Sequence, residues 1–250
     1  MTVRDIYDAL DAKYGFASQA DWDNSGVTAG DESARVAGVC VVLDVTNESV
    51  ENAKKAGANL IVSHHPCIFY PIKQIPSVTS VYAAIAAGLS LIALHTPLDR
   101  ADEDGTCSAL FEKIGAAPAG GSTVCPYLKF ADLPEETDGE GLARLLKEKL
   151  GGGVTYTAPA GAVIKRIAAA TGSAGEFADD AFREGADAFI TGEIKYHPLL
   201  NARDRGQAVF AAGHYETEAP AMEKVASYLR QSFPGLAVTL EKYGHPISFI

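Results

Sequence analysis

Leu60-Ile61-Val62-Ser63-His64-His65-Pro66 is the stretch on which the reading of this chain turns. Three strand-type apolar residues lead to a small polar residue, two adjacent histidines and a proline that cannot continue a ladder. This is a buried strand that ends in metal-binding chemistry. Two other stretches have the same character: Leu91-Ile92-Ala93-Leu94-His95-Thr96-Pro97-Leu98-Asp99 and Val209-Phe210-Ala211-Ala212-Gly213-His214-Tyr215-Glu216-Thr217-Glu218. Each is an apolar run, then a histidine, then a carboxylate four residues on. Three strand ends therefore offer four histidines and two carboxylates to one metal site. Imidazole and carboxylate ligands suit iron, zinc, manganese and nickel. Spacing alone leaves one ion or two open. Neighbouring strand residues point to opposite faces, so His64 and His65 reach one cavity only where the strand has ended, as Pro66 allows. Adjacent histidines are awkward ligands for a single ion. Each fits a different ion of a pair, with Glu218 or Asp99 between them.

Outward from that strand, residues 36–43 are a β-branched run and read as a central strand. A helix over 48–56 follows, capped by Thr46 or Asn47 and closed by Gly57. Strand, helix and strand in this order favour a parallel pair in an α/β fold. Residues 3–14 have helical spacing, and further helices are expected at 77–88 and 105–114, with a strand at 90–94. Asp21-Trp22-Asp23-Asn24-Ser25-Gly26 is a polar turn with the only tryptophan. It reads as a loop anchored by a buried ring or, alternatively, as a loop edging a pocket.

Residues 116–123 are small and breaker-rich, and the lobe boundary is placed there. Residues 1–120 then form an N-terminal α/β lobe with His64, His65, His95 and Asp99. Residues 121–250 form a second with His214 and Glu218. In the second lobe, strands are expected at 124–131, 154–158, 164–171 and 188–191, and helices at 140–150, 172–184 and 220–232. Short strands at 236–241 and 247–250 end the chain and are free to pack back on the first lobe. At one constant offset Glu48 falls on Glu176, Gly57-Ala58-Asn59 on Gly185-Ala186-Asp187, and Ser63-His64-His65 on Thr191-Gly192-Glu193. A slightly shorter offset puts His95 and Asp99 on His214 and Glu218. The expected architecture is two similar α/β lobes from an internal duplication, with the metal site in the cleft between them.

The 250 residues carry a formal charge of −11, with 47% apolar and 21% charged residues. Such an acidic chain repels phosphate backbones, which argues against nucleic-acid binding. A metal ion can still reverse the local sign for an anionic small molecule. No stretch approaches the roughly 20 apolar residues of a membrane span. Cys40, Cys67, Cys107 and Cys125 form no Cys-x-x-Cys pair and read as reduced thiols of a cytoplasmic protein; Cys67 reads as a bystander to the histidines. His245 reads as an ordinary hydrogen-bonded or exposed residue. His197, just after the counterpart of the His-His strand, reads as lining the site as acid, base or substrate contact. The sequence has no glycine-rich phosphate loop, no Gly-x-Ser-x-Gly elbow and no H-E-x-x-H helix, so its chemistry is that of metal-activated water.

The motifs together resemble the GTP cyclohydrolase 1 type 2 homologues, the interacting-factor-three-like proteins, in the short form without an inserted domain. The resemblance rests on Trp22-Asp23-Asn24-Ser25-Gly26, Leu43-Asp44-Val45-Thr46, Ser63-His64-His65-Pro66, His95-Thr96-Pro97-Leu98-Asp99, Thr191-Gly192-Glu193-Ile194-Lys195-Tyr196-His197 and Gly213-His214-Tyr215-Glu216-Thr217-Glu218. It covers nearly the whole chain. It implies a toroidal homohexamer and two divalent ions, with Glu218 bridging, His64 and His214 on one ion, and His65 and Asp99 on the other. It also implies opening of the GTP imidazole ring with release of formate, with His95 or His197 moving protons. The alternative is a metal-binding assembly that acts through partners and not by catalysis. Where the family has a turn with Gly and Arg, this chain reads Val124-Cys125-Pro126-Tyr127-Leu128-Lys129-Phe130.

Overall fold

The computed structural model describes residues 1–241. The strand expected at 247–250 and His245 lie outside them. In chain order the strands are β1 (Gly26–Ala29), β2 (Gly38–Val42), β3 (Leu60–Ser63), β4 (Ser90–Ala93), β5 (Ala117–Gly121), β6 (Lys129–Thr137), β7 (Thr155–Thr157), β8 (Ile164–Ala170), β9 (Ala188–Thr191), β10 (Ala208–Ala211) and β11 (Ala237–Leu240). The helices are α1 (Val3–Tyr14), α2 (Asn47–Lys55), α3 (Ser80–Ala86), α4 (His95–Arg100), α5 (Thr106–Ile114), α6 (Gly139–Leu150), α7 (Ala178–Arg183), α8 (Tyr196–Asp204) and α9 (His214–Ser232). The fold is mixed α/β with two sheets. The described residues divide into two compact units, 1–101 with 222–241, and 102–221.

The first unit holds the sheet β1-β4-β3-β2-β11. Strands β2, β3 and β4 are parallel, with Val42 beside Ser63 and Ser63 beside Ala93. Strand β11 joins β2 in parallel and β1 joins β4 antiparallel. All residues of β2, β3 and β4 are buried, so these strands are apolar throughout and do not alternate. One face, with Cys40, Val42, Ile61 and Leu91, packs on Val50 and Ala53 of α2 and Ala84 of α3. Helix α2 begins where Thr46 caps it: the Thr46 side chain accepts from the Ser49 amide, and Ser49 Oγ accepts from the Thr46 amide.

The second unit holds the sheet β5-β6-β8-β9-β10-β7. Strands β8, β9 and β10 are parallel, β7 lies antiparallel on β10, and β6 antiparallel on β8. Side-chain alternation puts Ile167, Ala169, Ile190 and Phe210 into a core with Leu110 and Phe111 of α5 and Leu142 and Leu146 of α6. The intervening Ala168, Phe189 and Val209 pack on the other face with Ala181 of α7 and Ala202 of α8. In both units, three parallel strands follow one another across the sheet. The strand that precedes them in the chain lies antiparallel beside the third.

Several elements differ from the sequence expectation. The breaker-rich residues 117–121 form an edge strand, where Pro118 and a bulge before Gly120 are tolerated. The strand expected at 124–131 is β6, which starts at Lys129 and runs to Thr137. The helix expected at 172–184 is a 3-10 turn, Gly175–Phe177, followed by the short α7. Helix α9 starts at His214, six residues earlier than expected, and α4 starts at His95. Thus each of the two histidine–carboxylate pairs lies on the first turns of a helix.

Candidate metal centre

Chemistry-bearing side chains collect at the carboxyl ends of the parallel strands, the usual ligand position in open α/β sheets. In the first unit, His64 and His65 follow β3. Their amides continue the ladder to the Val42 and Leu43 carbonyls at 3.3 and 3.0 Å. Ser63 Oγ then donates to the His65 carbonyl at 2.8 Å and bends the chain, so the adjacent rings end up 4.7 Å apart instead of on opposite faces. His95, at the start of α4, lies 5.3 Å from His64 and 5.6 Å from His65, ring to ring. One ring nitrogen from each of the three falls within 4.8 Å of the others, a spacing that suits a metal ion. Asp99, one helical turn after His95, places Oδ1 3.5 Å from His64 Nε2. The resemblance pairs Asp99 with His65; its close neighbour here is His64.

Carboxylates orient the outer nitrogens. Asp44 Oδ1, just past β2, lies 2.6 Å from His65 Nδ1. Asp23 Oδ1 lies 2.8 Å from His95 Nδ1. A carboxylate only accepts, so each imidazole donates from Nδ1 and keeps Nε2 for a metal or substrate. The Asp23 side chain is out of solvent. Burial alone would raise its pKa. Hydrogen bonds from His95, Thr96 and Ser25 outweigh this and hold the carboxyl well below the usual range. A carboxyl lowered on folding contributes stability that is complete above its unfolded value, 3.8, and is lost as pH falls through the folded value. Asp23→Asn is therefore expected to be less stable at pH 7 and to lose less stability on acidification. Urea midpoints from about pH 5 down to about pH 3 check this, since the parent's should fall more steeply.

In the second unit, His214 and Glu218 are four residues apart on α9, so they share one face. His214 Nε2 is 3.2 Å from Glu218 Oε2, and Nδ1 is 3.0 Å from Glu193 Oε1. Glu193 follows β9, as the His-His pair follows β3. Gly172, just past β8, has φ +64°. A Cβ there would come within 2.1 Å of Glu218 Oε1 and 3.1 Å of His214 Nε2. This backbone position therefore keeps open the space in front of both side chains. His197 is exposed on the first turn of α8, edge-on to Tyr196 at 5.6 Å, and is not part of the His214–Glu218 group. Nearby, a surface cavity of about 450 Å³ is lined by Ser173, Glu176, Glu193, Lys195 and Pro198.

The sequence alone assigns no role to Asp23 or Asp44. Both stand in polar turns next to strand ends, the one local signal they give. Trp22 is 55% exposed, which corrects the buried-ring reading; the loop is fastened instead by the Asp23 side chain. Cys67 stands apart from the histidine group, with Sγ 3.6 Å from Ser80 Oγ, and burial pushes its thiol pKa up, away from the thiolate a metal would need.

The mixed α/β fold with two sheets is shared with proteins of known structure. The profile of the Duf34/NIF3 family (NGG1p interacting factor 3) matches residues 1–245. The chain belongs to the Duf34/NIF3 family. A Clostridium perfringens relative called GTP cyclohydrolase 1 type 2 homolog is 27% identical over 244 residues, covering 92% of each chain. A Helicobacter pylori relative called GTP cyclohydrolase 1 type 2 is 28% identical over 255 residues, covering 99% of each. The crystal structure of Staphylococcus aureus protein SA1388 has a TM-score of 0.92 at 25% identity, covering 100% of this chain and 99% of that one. Reduced HcgD from Methanocaldococcus jannaschii shares the fold at a TM-score of 0.82 and 19% identity, over 97% and 98% of the two chains. The family resemblance read from the motifs thus holds across the chain. As a Duf34/NIF3 protein it has residues that could hold a metal ion, and none of its described helices is long and apolar enough to cross a membrane.

Proposed function

We propose that this Duf34/NIF3 chain is a metal-dependent hydrolase acting on GTP, with a dinuclear centre in the cleft between two duplicated α/β lobes. The observation that carries the reading is the meeting of His64 and His65, rings 4.7 Å apart, with Asp99 Oδ1 3.5 Å from His64 Nε2, Asp44 fixing the outer nitrogen of His65, and His95 beside them held by Asp23. The donor set fits iron, zinc, manganese or nickel. The resemblance gives the ligands as His64, His65, Asp99, His214 and Glu218, with Glu218 bridging. Bound there, two divalent ions supply activated water and polarise the atom it attacks. His95, oriented by Asp23, serves as proton carrier, and His197 is the second candidate for that role.

Duplication is supported by the repeated strand order and by the residues that stand at the strand ends. Asp44, His65 and His95–Asp99 come after β2, β3 and β4. Gly172, Glu193 and His214–Glu218 come after β8, β9 and β10. The toroidal homohexamer rests on the resemblance. A cytoplasmic setting is supported by the absence of disulfides among the described residues.

Metal-loaded protein incubated with GTP should release formate, and His95→Gln should retain its metal while losing turnover. Protein that keeps its metal yet turns over no GTP would overturn the reading and leave a metal-binding assembly.

A further inference from the structure

Beside the three histidines is an aromatic wall that metal binding does not explain. Trp22 packs on Phe69 with ring centroids 5.8 Å apart and planes tilted by 33°. Both rings meet His95 edge-on, each 5.7 Å away at 72°. Phe69 is braced in turn by Tyr70 at 4.8 Å. Despite these contacts more than half of the Trp22 surface is open to solvent, at 55%.

The exposure does not come from a loose loop. On one side of Trp22, the Ala20 amide donates to Thr96 Oγ1 at 3.0 Å. On the other, the Asp23 carboxylate accepts from His95, from Ser25 Oγ at 2.7 Å and from the Thr96 amide at 3.0 Å. Asn24 Nδ2 donates to the Ile68 carbonyl at 2.6 Å, which ties the tryptophan loop to the segment carrying Phe69. The two rings are thus held in place by hydrogen bonds that leave the indole outward. The part of a large apolar ring that stays in water gains nothing for the fold. It does lower the ordering cost of binding a partner that covers it.

We propose that Trp22 and Phe69 form a stacking platform for a planar heteroaromatic ring, held against His95, and that the substrate of this site carries such a ring. The inference rests on the hydrolase reading and names the part of the substrate that this wall grips. Aromatic faces prefer offset stacking with other π systems, and nucleobase-like rings stack on indole whatever their substituents. The net charge of −11 gives no general attraction for phosphates, so the ring and not the anionic tail supplies the contact here. The indole itself is 5.7 Å from the ring of His95, the proposed proton carrier.

Trp22 is the only tryptophan, so its emission reports on this surface alone. Metal-loaded full-length protein is titrated with guanosine, which has the ring and no phosphate, and separately with inorganic triphosphate, which has no ring. Guanosine is expected to change Trp22 emission saturably, and triphosphate to leave it unchanged. By equilibrium dialysis, Trp22→Ala should bind guanosine roughly 5- to 150-fold more weakly and Trp22→Phe close to the parent. Metal content should be unchanged in both, and for GTP the alanine variant should raise KM more than it lowers kcat. Silent emission with guanosine, or a Trp22→Ala variant that binds guanosine like the parent, overturns the platform even if GTP is hydrolysed. Loss of assembly size in Trp22→Ala with guanosine binding intact also overturns it and assigns the indole to a contact between copies. Saturable guanosine binding through Trp22 in a protein that never hydrolyses GTP supports the platform and sinks only the hydrolase.

Discussion

Glu218→Ala is expected to leave dialysis with about a tenth or less of the metal that the parent keeps. Glu218 is 4% exposed, on the first turns of α9, with Oε2 3.2 Å from His214 Nε2. The far nitrogen of that imidazole is taken up by Glu193. Two carboxylates therefore flank one histidine, and one of them is almost wholly out of water. Burying a carboxylate costs free energy that a cation at the same point offsets. Removing an outer partner of a metal ligand already costs about 10- to 100-fold in affinity, and loss of Glu218 should exceed that if it is a ligand itself, as proposed. The fold should survive, because alanine favours helix and the deleted charge is a burden to the metal-free chain. Metal-free Glu218→Ala is thus expected to unfold at a urea concentration no lower than the metal-free parent. The parent alone should gain stability with added metal, about 2.7 kcal/mol at a hundredfold excess over Kd. Elemental analysis and paired urea curves check both halves. A variant that holds parental metal would remove Glu218 from the centre.

The sequence exposed what depends on local pattern and concealed what depends on contacts across the chain. Strand β3 and helix α2 were legible because an apolar run, a Thr46 cap and Gly57 at φ +71° all punctuate the same segment. Strand β5 was hidden because an edge strand needs few side chains to pack and tolerates Pro118 and two glycines. The i, i+4 spacing of His95 with Asp99 and of His214 with Glu218 already described a helix face. The apolar run before each pair hides that helix start, because it carries the strand signal right up to the histidine. Asp23 and Asp44 could not be found from spacing, since their histidine partners come from other strands. Trp22 reversed its expected burial for the same reason: the anchor of its loop is the neighbouring Asp23, and nothing local separates that case from an anchoring indole.

Gly172→Ala is the substitution in which backbone and site chemistry meet most directly. Gly172 has φ +64°, a left-handed conformation that costs a residue with a Cβ about 1–2 kcal/mol. The backbone cannot relax easily, because the Gly172 amide donates to Thr217 Oγ1 at 3.1 Å and its carbonyl accepts from the Glu193 amide at 2.9 Å. A methyl group there meets Glu218 Oε1 at 2.1 Å, so something must move, and the end of a carboxylate side chain moves more readily than the strand end. The variant is therefore expected to fold with a loss of about 1–2 kcal/mol and to bind metal at least about tenfold more weakly as Glu218 and His214 are pushed aside. Gly185→Ala separates the two effects. Gly185 has φ +87° in the same unit, with nothing within 4 Å of an added Cβ. It should show a similar loss of stability with parental metal content. Urea curves and metal titrations on the two variants decide the point. If Gly172→Ala matches Gly185→Ala in metal affinity, the glycine serves only the turn. If it loses metal while Gly185→Ala keeps it, the bare backbone at the end of β8 is part of how the site is held open.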